Sequence, residues 1–240
     1  TVAITTTPRP VGILSLPGEK GWASIPTDDP EIIAQVWEWE NKRESSGAIV
    51  DGIFKATIDM LAGKYGAIQT FVADGMHKFI EYILDEATDG AWFAGEEFDA
   101  KRYARAYRRF EDYQSLIYFS QVPVAVFTMW DGETPDRKIK PGEKSSDVPT
   151  SNRPKLPGQL ARQVMGEFNF IFHQTLRNEK PGEPLKAYWM TRPTEAIKGA
   201  SIKGPADVVK LIPQFIPADY RVFEATWAAA ERKVKESKNG

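Results

Sequence analysis

Two carboxylates each follow an apolar, strand-like run: Glu19 comes after GILSL at 12–16, and Asp74 closes QTFVA at 69–73. A rigid strand ending in a carboxylate can orient a divalent cation and its water ligands. In open α/β sheets ligands collect at the carboxyl ends of the strands. Acids at strand ends are also ordinary turn formers, so position alone makes the pair a candidate and no more. The other chemistry-bearing residues are sparse. The two histidines, His77 and His173, are far apart, and no acid cluster accompanies both. A metal pair or a Ser-His-Asp triad needs more than that, and His77 reads as structural. The chain has no cysteine, which removes disulfides, thiolate catalysis and cysteine-based zinc sites. Gly63-Lys64 and Lys198-Gly199 lack the upstream glycines of a phosphate loop.

Strands and helices alternate around these acids. PVGILSL at 10–16 reads as a buried strand ended by Pro17 and Gly18. Ile32, Ile33, Val36 and Trp37, behind Asp29 and Pro30, predict a helix over 31–43. A second helix is expected at about 50–63, followed by the strand AIQTFVAD at 67–74. Met76, Phe79, Ile80, Ile83 and Leu84 repeat at helical spacing up to Asp89-Gly90. From Phe98 to Gln121 a long helix carries Tyr103, Tyr107, Phe110, Tyr113 and Ile117 on one stripe, a core face with basic residues largely off it. The strand VPVAVFTMW at 122–130 follows. This order predicts a mostly parallel sheet covered by helices. Residues 131–157 break the rhythm with prolines and charges and predict a long, mobile loop, with six basic against four acidic side chains over 132–157. Beyond it, 166–176 and 183–192 read as an antiparallel pair, and a last amphipathic helix spans about 218–235.

The 240 residues, 42% hydrophobic, suffice for a substantial core. A net charge of −2 supplies no global field, so any polyanion contact must be local. The apolar runs fall short of the roughly 20 residues of a membrane helix, and no signal segment opens the chain. The expectation is a soluble, cytoplasmic protein. The chain starts at Thr1, not Met, and enters an apolar alternation at once, which leads us to expect native sequence upstream.

The succession GILSLPGE, TFVAD and VAVFTMWD resembles the phage AAA-type, RecA-like P-loop ATPases, a group that includes single-strand-annealing recombination proteins. In that family the strand after the phosphate-loop helix ends in a water-polarising glutamate, a later strand in the magnesium aspartate, and the next in a polar sensor. TVAITTTPRPVGILSLPGEKG looks like the part just after the phosphate-loop lysine, AIQTFVADG like the Walker B strand, and PVAVFTMWD like the sensor strand. Met129 and Trp130 stand where the family usually has Ala-His, and Gly75 where it has Ser. KLPGQLARQVMGEFNFIFH and WMTRPTEAIKGASIKG resemble later familial segments.

The resemblance implies a RecA-like core over 1–217, with 131–157 as a mobile loop within it and 218–240 as a C-terminal helix and tail. It implies ATP and Mg²⁺ as ligands, with Glu19 and Asp74 catalytic and Asp74 and Thr1 near the metal. Thr1, Asp74, Trp130, Arg192 and Lys198 would border the nucleotide. Arg192, Lys198 and Lys203 would act across a subunit boundary in a ring or filament, or else are surface charges. Arg137, Lys138, Lys140 and Lys144 would meet single-stranded DNA, or else belong to a solvated linker. Trp92 and Phe93 would stack on bases or anchor their loop. No Walker A motif stands in the chain, so it either continues upstream or is a non-hydrolysing relative that keeps the fold for binding. A DNA-translocating motor would share the same core.

Overall fold

The computed structural model describes residues 6–15, 29–36, 53–88, 94–95, 100–135, 140–142, 144, 147–154, 166, 168–178, 180, 182–195 and 197–239. The chain divides into two compact units, Ala3–Trp130 and Asp131–Gly240. Their boundary falls where the expected 131–157 loop begins.

The first unit is built on a four-stranded sheet, β1 (Val11–Ser15), β2 (Ile32–Val36), β3 (Thr70–Asp74) and β4 (Val124–Phe127), in the order β2-β1-β3-β4. Every neighbouring pair is parallel, so all four strands end on one rim. Among the described residues its helices are α1 (Ile53–Leu61), α2 (Met76–Ala87) and α3 (Ala100–Tyr118). Successive side chains of a strand alternate between faces. One face gathers Val11, Ile13, Ile32 and Val72, with Ala34 and Val126 against them. The other takes α1 at very close range: a Cβ on Gly12 would lie 2.8 Å from Met60 Sδ and 2.9 Å from Ile68 Cδ1. The three helices share an aromatic core. Tyr113 of α3 packs on Phe54 of α1 and Phe79 of α2, and its hydroxyl pairs with that of Thr57 at 3.0 Å. Burial pushes the Tyr113 phenol well above its usual range, only partly offset by the Thr57 hydrogen bond. The stripe expected on the long helix is this core face: Phe110, Tyr113 and Ile117 are buried.

The helix expected over 31–43 is corrected by β2. The backbone at Ile32–Val36 is extended and in register with β1 from Val11↔Ile32 to Ser15↔Val36. Asp29 does not cap a helix. It accepts from the Glu31 amide at 3.0 Å and, with Glu31, pairs with Arg9, which brings the starts of β1 and β2 together. Hydrogen bonding to Arg9 holds the Asp29 carboxyl below its usual range. Alternation explains the outcome, because Ile32 and Ala34 reach the sheet core as a period-two pair and β-branched residues favour strands. Residues 37–43 lie outside the described residues.

In the second unit β5 (Asp131–Pro135) and β6 (Thr150–Pro154) form an antiparallel pair from Asp131↔Pro154 to Pro135↔Thr150. The structureless loop expected over 131–157 is therefore corrected at both ends. The two segments satisfy each other's backbone groups, despite few large apolar side chains to hold them. The expected antiparallel pair is present as β8 (His173–Arg177) and β9 (Lys186–Met190), extended by β11 (Phe215–Pro217) in the order β11-β9-β8. β7 (Phe170–Ile171) pairs with β10 (Ser201–Ile202). The short helix α4 (Ala206–Leu211) packs on the C-terminal helix α5 (Tyr220–Asn239) through Val208, Ile212 and Ala230. Phe170, Phe172, Trp189, Phe223 and Trp227 form a contiguous aromatic cluster.

Candidate functional site

β1, β3 and β4 are adjacent and parallel, with Ser15 opposite Asp74 and Ala73 opposite Phe127. The next register step sets Thr128 beside Asp74. Residues in register on parallel strands share a face, so Ser15, Asp74 and Thr128 form one polar row across the rim. They continue the face whose next row inward is Ile13, Val72 and Val126.

Contacts within the row fix the carboxylate. Thr128 Oγ1 donates to Asp74 Oδ1 and accepts from the Gly75 amide at 3.0 Å. Backbone bonds keep the two strand ends together: the Thr128 amide donates to the Ala73 carbonyl at 3.0 Å and the Met76 amide to the Thr128 carbonyl at 2.9 Å. Gly75, at φ 86°, makes the left-handed turn that starts α2 directly behind the acid. On α2, His77 is 2% exposed and its ring stacks on that of Trp130, centroids 4.9 Å apart at 25°. Trp130 itself is 58% exposed, so the ring that packs on His77 still reaches solvent.

Ser15 differs from its partners in the row. It is 1% exposed, and its Oγ has no hydrogen-bond partner among the described residues. Other buried hydroxyls are satisfied: Thr70 Oγ1 donates to the Pro8 carbonyl at 2.7 Å, Thr88 Oγ1 to that of Leu84 at 2.8 Å, and Thr191 Oγ1 to that of Pro213 at 2.7 Å. Both Ser15 and Thr128 escaped the sequence reading. The signal was present, since VGIL-S, TFVA-D and VAVF-T each run through four residues and end on an oxygen-bearing side chain.

Asp74 and Trp130 thus stand on one rim. Glu19 and Thr1 lie outside the described residues, as do Trp92, Phe93, Arg137 and Lys138. Lys140 and Lys144 are exposed. The other expected cations belong to the second unit. Arg192 Nη2 donates to the Ile212 carbonyl at 2.5 Å, capping the end of α4. Lys198 lies next to Ile197, which bridges Asn152 of β6, and the Lys198 amide donates to the Asn152 carbonyl at 3.2 Å. Lys203 Nζ donates to the Gly166 carbonyl.

Among the described residues no group of three or more His, Cys, Asp or Glu side chains is arranged to hold a metal. A cation at this rim would take its protein oxygens from Asp74 and the hydroxyls beside it, a donor set that suits a hard divalent ion such as Mg²⁺. Also among the described residues, no helix is long and apolar enough to cross a membrane. Comparison with protein-family models, with curated protein sequences and with solved structures finds no match.

Proposed function

We propose that the first unit is the nucleotide-binding core of a RecA-like ATPase that acts on single-stranded DNA in recombination or replication. The observation that carries this reading is the carboxylate of Asp74. It ends an interior strand of a parallel sheet, is fixed by a hydroxyl from the next strand, and stands beside the turn into α2. That is the carboxyl-end rim on which open α/β sheets bind ligands. Two further features support it. Trp130 offers a partly open ring at the same rim, suited to stacking on a base. Beyond β4 no strand pairs among the described residues, and Ala125 is exposed there, so the sheet has room for another strand next to the sensor position.

In this reading Asp74 holds Mg²⁺, directly or through its water ligands, and Thr128 keeps that carboxylate in one orientation. Bound Mg²⁺ would neutralise charge on the β- and γ-phosphates. Glu19 would orient the attacking water and accept its proton, and Thr1 would lie near the metal. Arg192 and Lys198 would act on a neighbouring subunit's nucleotide. Arg137, Lys138, Lys140 and Lys144, between the two arms of the β5–β6 hairpin, would pair with DNA phosphates.

The test uses the full-length gene product, a fluorescent ATP analogue and a phosphate-release assay. Wild type should bind the analogue in a Mg²⁺-dependent way, Asp74→Asn should lose that dependence, and Glu19→Gln should bind but not turn over. Absence of Mg²⁺-dependent binding, or full hydrolysis by Glu19→Gln, refutes the assignment. For the DNA arm, alanine at the four loop cations should flatten the dependence of log affinity on log salt by up to about 3, given about 0.7 for each phosphate contact on a single strand. An unchanged slope removes the loop from the DNA site.

A further inference from the structure

The structure assigns Ser15 to the ligand side of the rim: we propose that its hydroxyl completes, with the Asp74 carboxylate, an oxygen site for a divalent cation. This rests on the reading of Asp74 as the magnesium carboxylate. Placement comes first. Ser15 and Asp74 are register partners on adjacent parallel strands, about 4.8 Å apart along the hydrogen-bonding direction, and both belong to the same face. Asp74 Oδ1 is already engaged by Thr128 on the far side, which leaves Oδ2 for a ligand.

The second observation is independent of the acid. Burying a hydroxyl without a partner is unfavourable, and the sheet had an apolar alternative at hand, because every other side chain of β1 is hydrocarbon or hydrogen. Ser15 Oγ is buried and lacks a hydrogen-bond partner among the described residues, at the one row of this face where a carboxylate also ends a strand. A hard cation accepts a neutral hydroxyl as an oxygen ligand alongside a carboxylate and retained waters. Thr70, two rows inward on the same face, shows the contrast: its hydroxyl is used internally, by the Pro8 carbonyl.

The probe is Mn²⁺ alone, titrated into the full chain and followed by the loss of free-ion electron paramagnetic resonance signal. Ser15→Ala should weaken binding at least tenfold while melting no lower than wild type without metal, since it removes an unsatisfied hydroxyl. Ser15→Thr should keep most of the affinity. Ser15→Cys gives a chain with a single thiol, because the protein has no cysteine of its own. That variant should lose Mn²⁺ affinity and gain Cd²⁺ affinity, with an ultraviolet thiolate charge-transfer band, which a purely structural serine would not produce. Wild-type Mn²⁺ affinity in Ser15→Ala, together with no cadmium band in Ser15→Cys, overturns the inference. If Asp74→Asn alone then abolishes Mn²⁺ binding, the Asp74 reading survives without Ser15. If Asp74→Asn binds Mn²⁺ as wild type does, both fall.

Discussion

Replacing Thr128 with valine isolates what holds the rim together. Valine keeps the branched shape and opens no cavity, so the cost is that of two hydrogen bonds made by one oxygen. The first is donated to the Asp74 carboxylate, and the second is accepted from the Gly75 amide at 3.0 Å. A bond to a charged group contributes about 1.5–3 kcal/mol and a neutral one about 0.5–1.5. Both are partly buried, so water can take up some of the loss, and the lower ends apply: about 2 kcal/mol in all. Urea unfolding followed by circular dichroism measures the total. Because the chain has two compact units that need not unfold together, exchange of the Gly75 amide identifies the transition that belongs to the rim. Thr128→Val should speed that exchange, and a double-mutant cycle with Asp74→Ala should give a coupling of about 1.5 kcal/mol. A cost within about 0.5 kcal/mol of zero, the range of an ordinary surface change, with Gly75 equally protected, would refute the claim that Thr128 orients the carboxylate.

Two glycines test the packing. A Cβ on Gly204 would lie 2.5 Å from Trp227 Cη2, a rigid ring wedged against Phe170 and Phe223. Gly204→Ala should cost about 2–3 kcal/mol in chemical denaturation, while Gly12→Ala, which meets the movable ends of Met60 and Ile68, should cost about 1 kcal/mol; the reverse order would mean that ring rigidity is not what decides. Asp219 accepts from the Arg221 amide at 2.9 Å, as the N-cap of α5, so Asp219→Ala should lower stability by about 1 kcal/mol near neutral pH and Asp219→Asn by much less. Hydrogen bonding to Arg221 depresses the Asp219 carboxyl below its ordinary 3.8, so the advantage of Asp over Asn is present above that value and disappears as pH falls through the lower folded value. Melting curves of the two proteins that keep a constant gap down to pH 2 would contradict this.

Much of the architecture is legible from apolar periodicity. The strands ending at Ser15, Asp74 and Phe127 are runs of β-branched and apolar residues between breakers, and α2 and α3 repeat at three and four because one face of each is buried. Ile32–Val36 is where this reasoning fails. Ile32, Ile33 and Val36 fit a helical stripe and a strand alternation alike, and five residues are too few for periodicity to separate them. Pairing with β1 decides it, and a partner strand that far away in the chain leaves no local mark. The β5–β6 hairpin fails differently. Its segments carry few large apolar side chains, so no hydrophobic pattern announces them; backbone pairing between segments distant in the chain is what the sequence does not report.

The candidate site divides along the same line. That Asp74 ends a strand can be read from TFVAD alone. That Ser15 and Thr128 flank it cannot, because the sequence reports which side chain closes each run but not which runs become neighbours. Only the order β2-β1-β3-β4 makes β3 the strand between the other two, and only a register with Ser15 at the level of Asp74 puts three oxygen-bearing side chains in one row. A slip of one residue between β1 and β3 would carry Ser15 to the opposite face and bring Leu14 to the acid. The polar row at the rim is therefore a property of register, and register here is held by hydrocarbon. Val11, Ile13, Val72 and Val126 must meet on their own face while Gly12 leaves room for Met60 on the other. Exchanging the core pattern of β1 should break up the polar row more completely than removing any single polar atom in it.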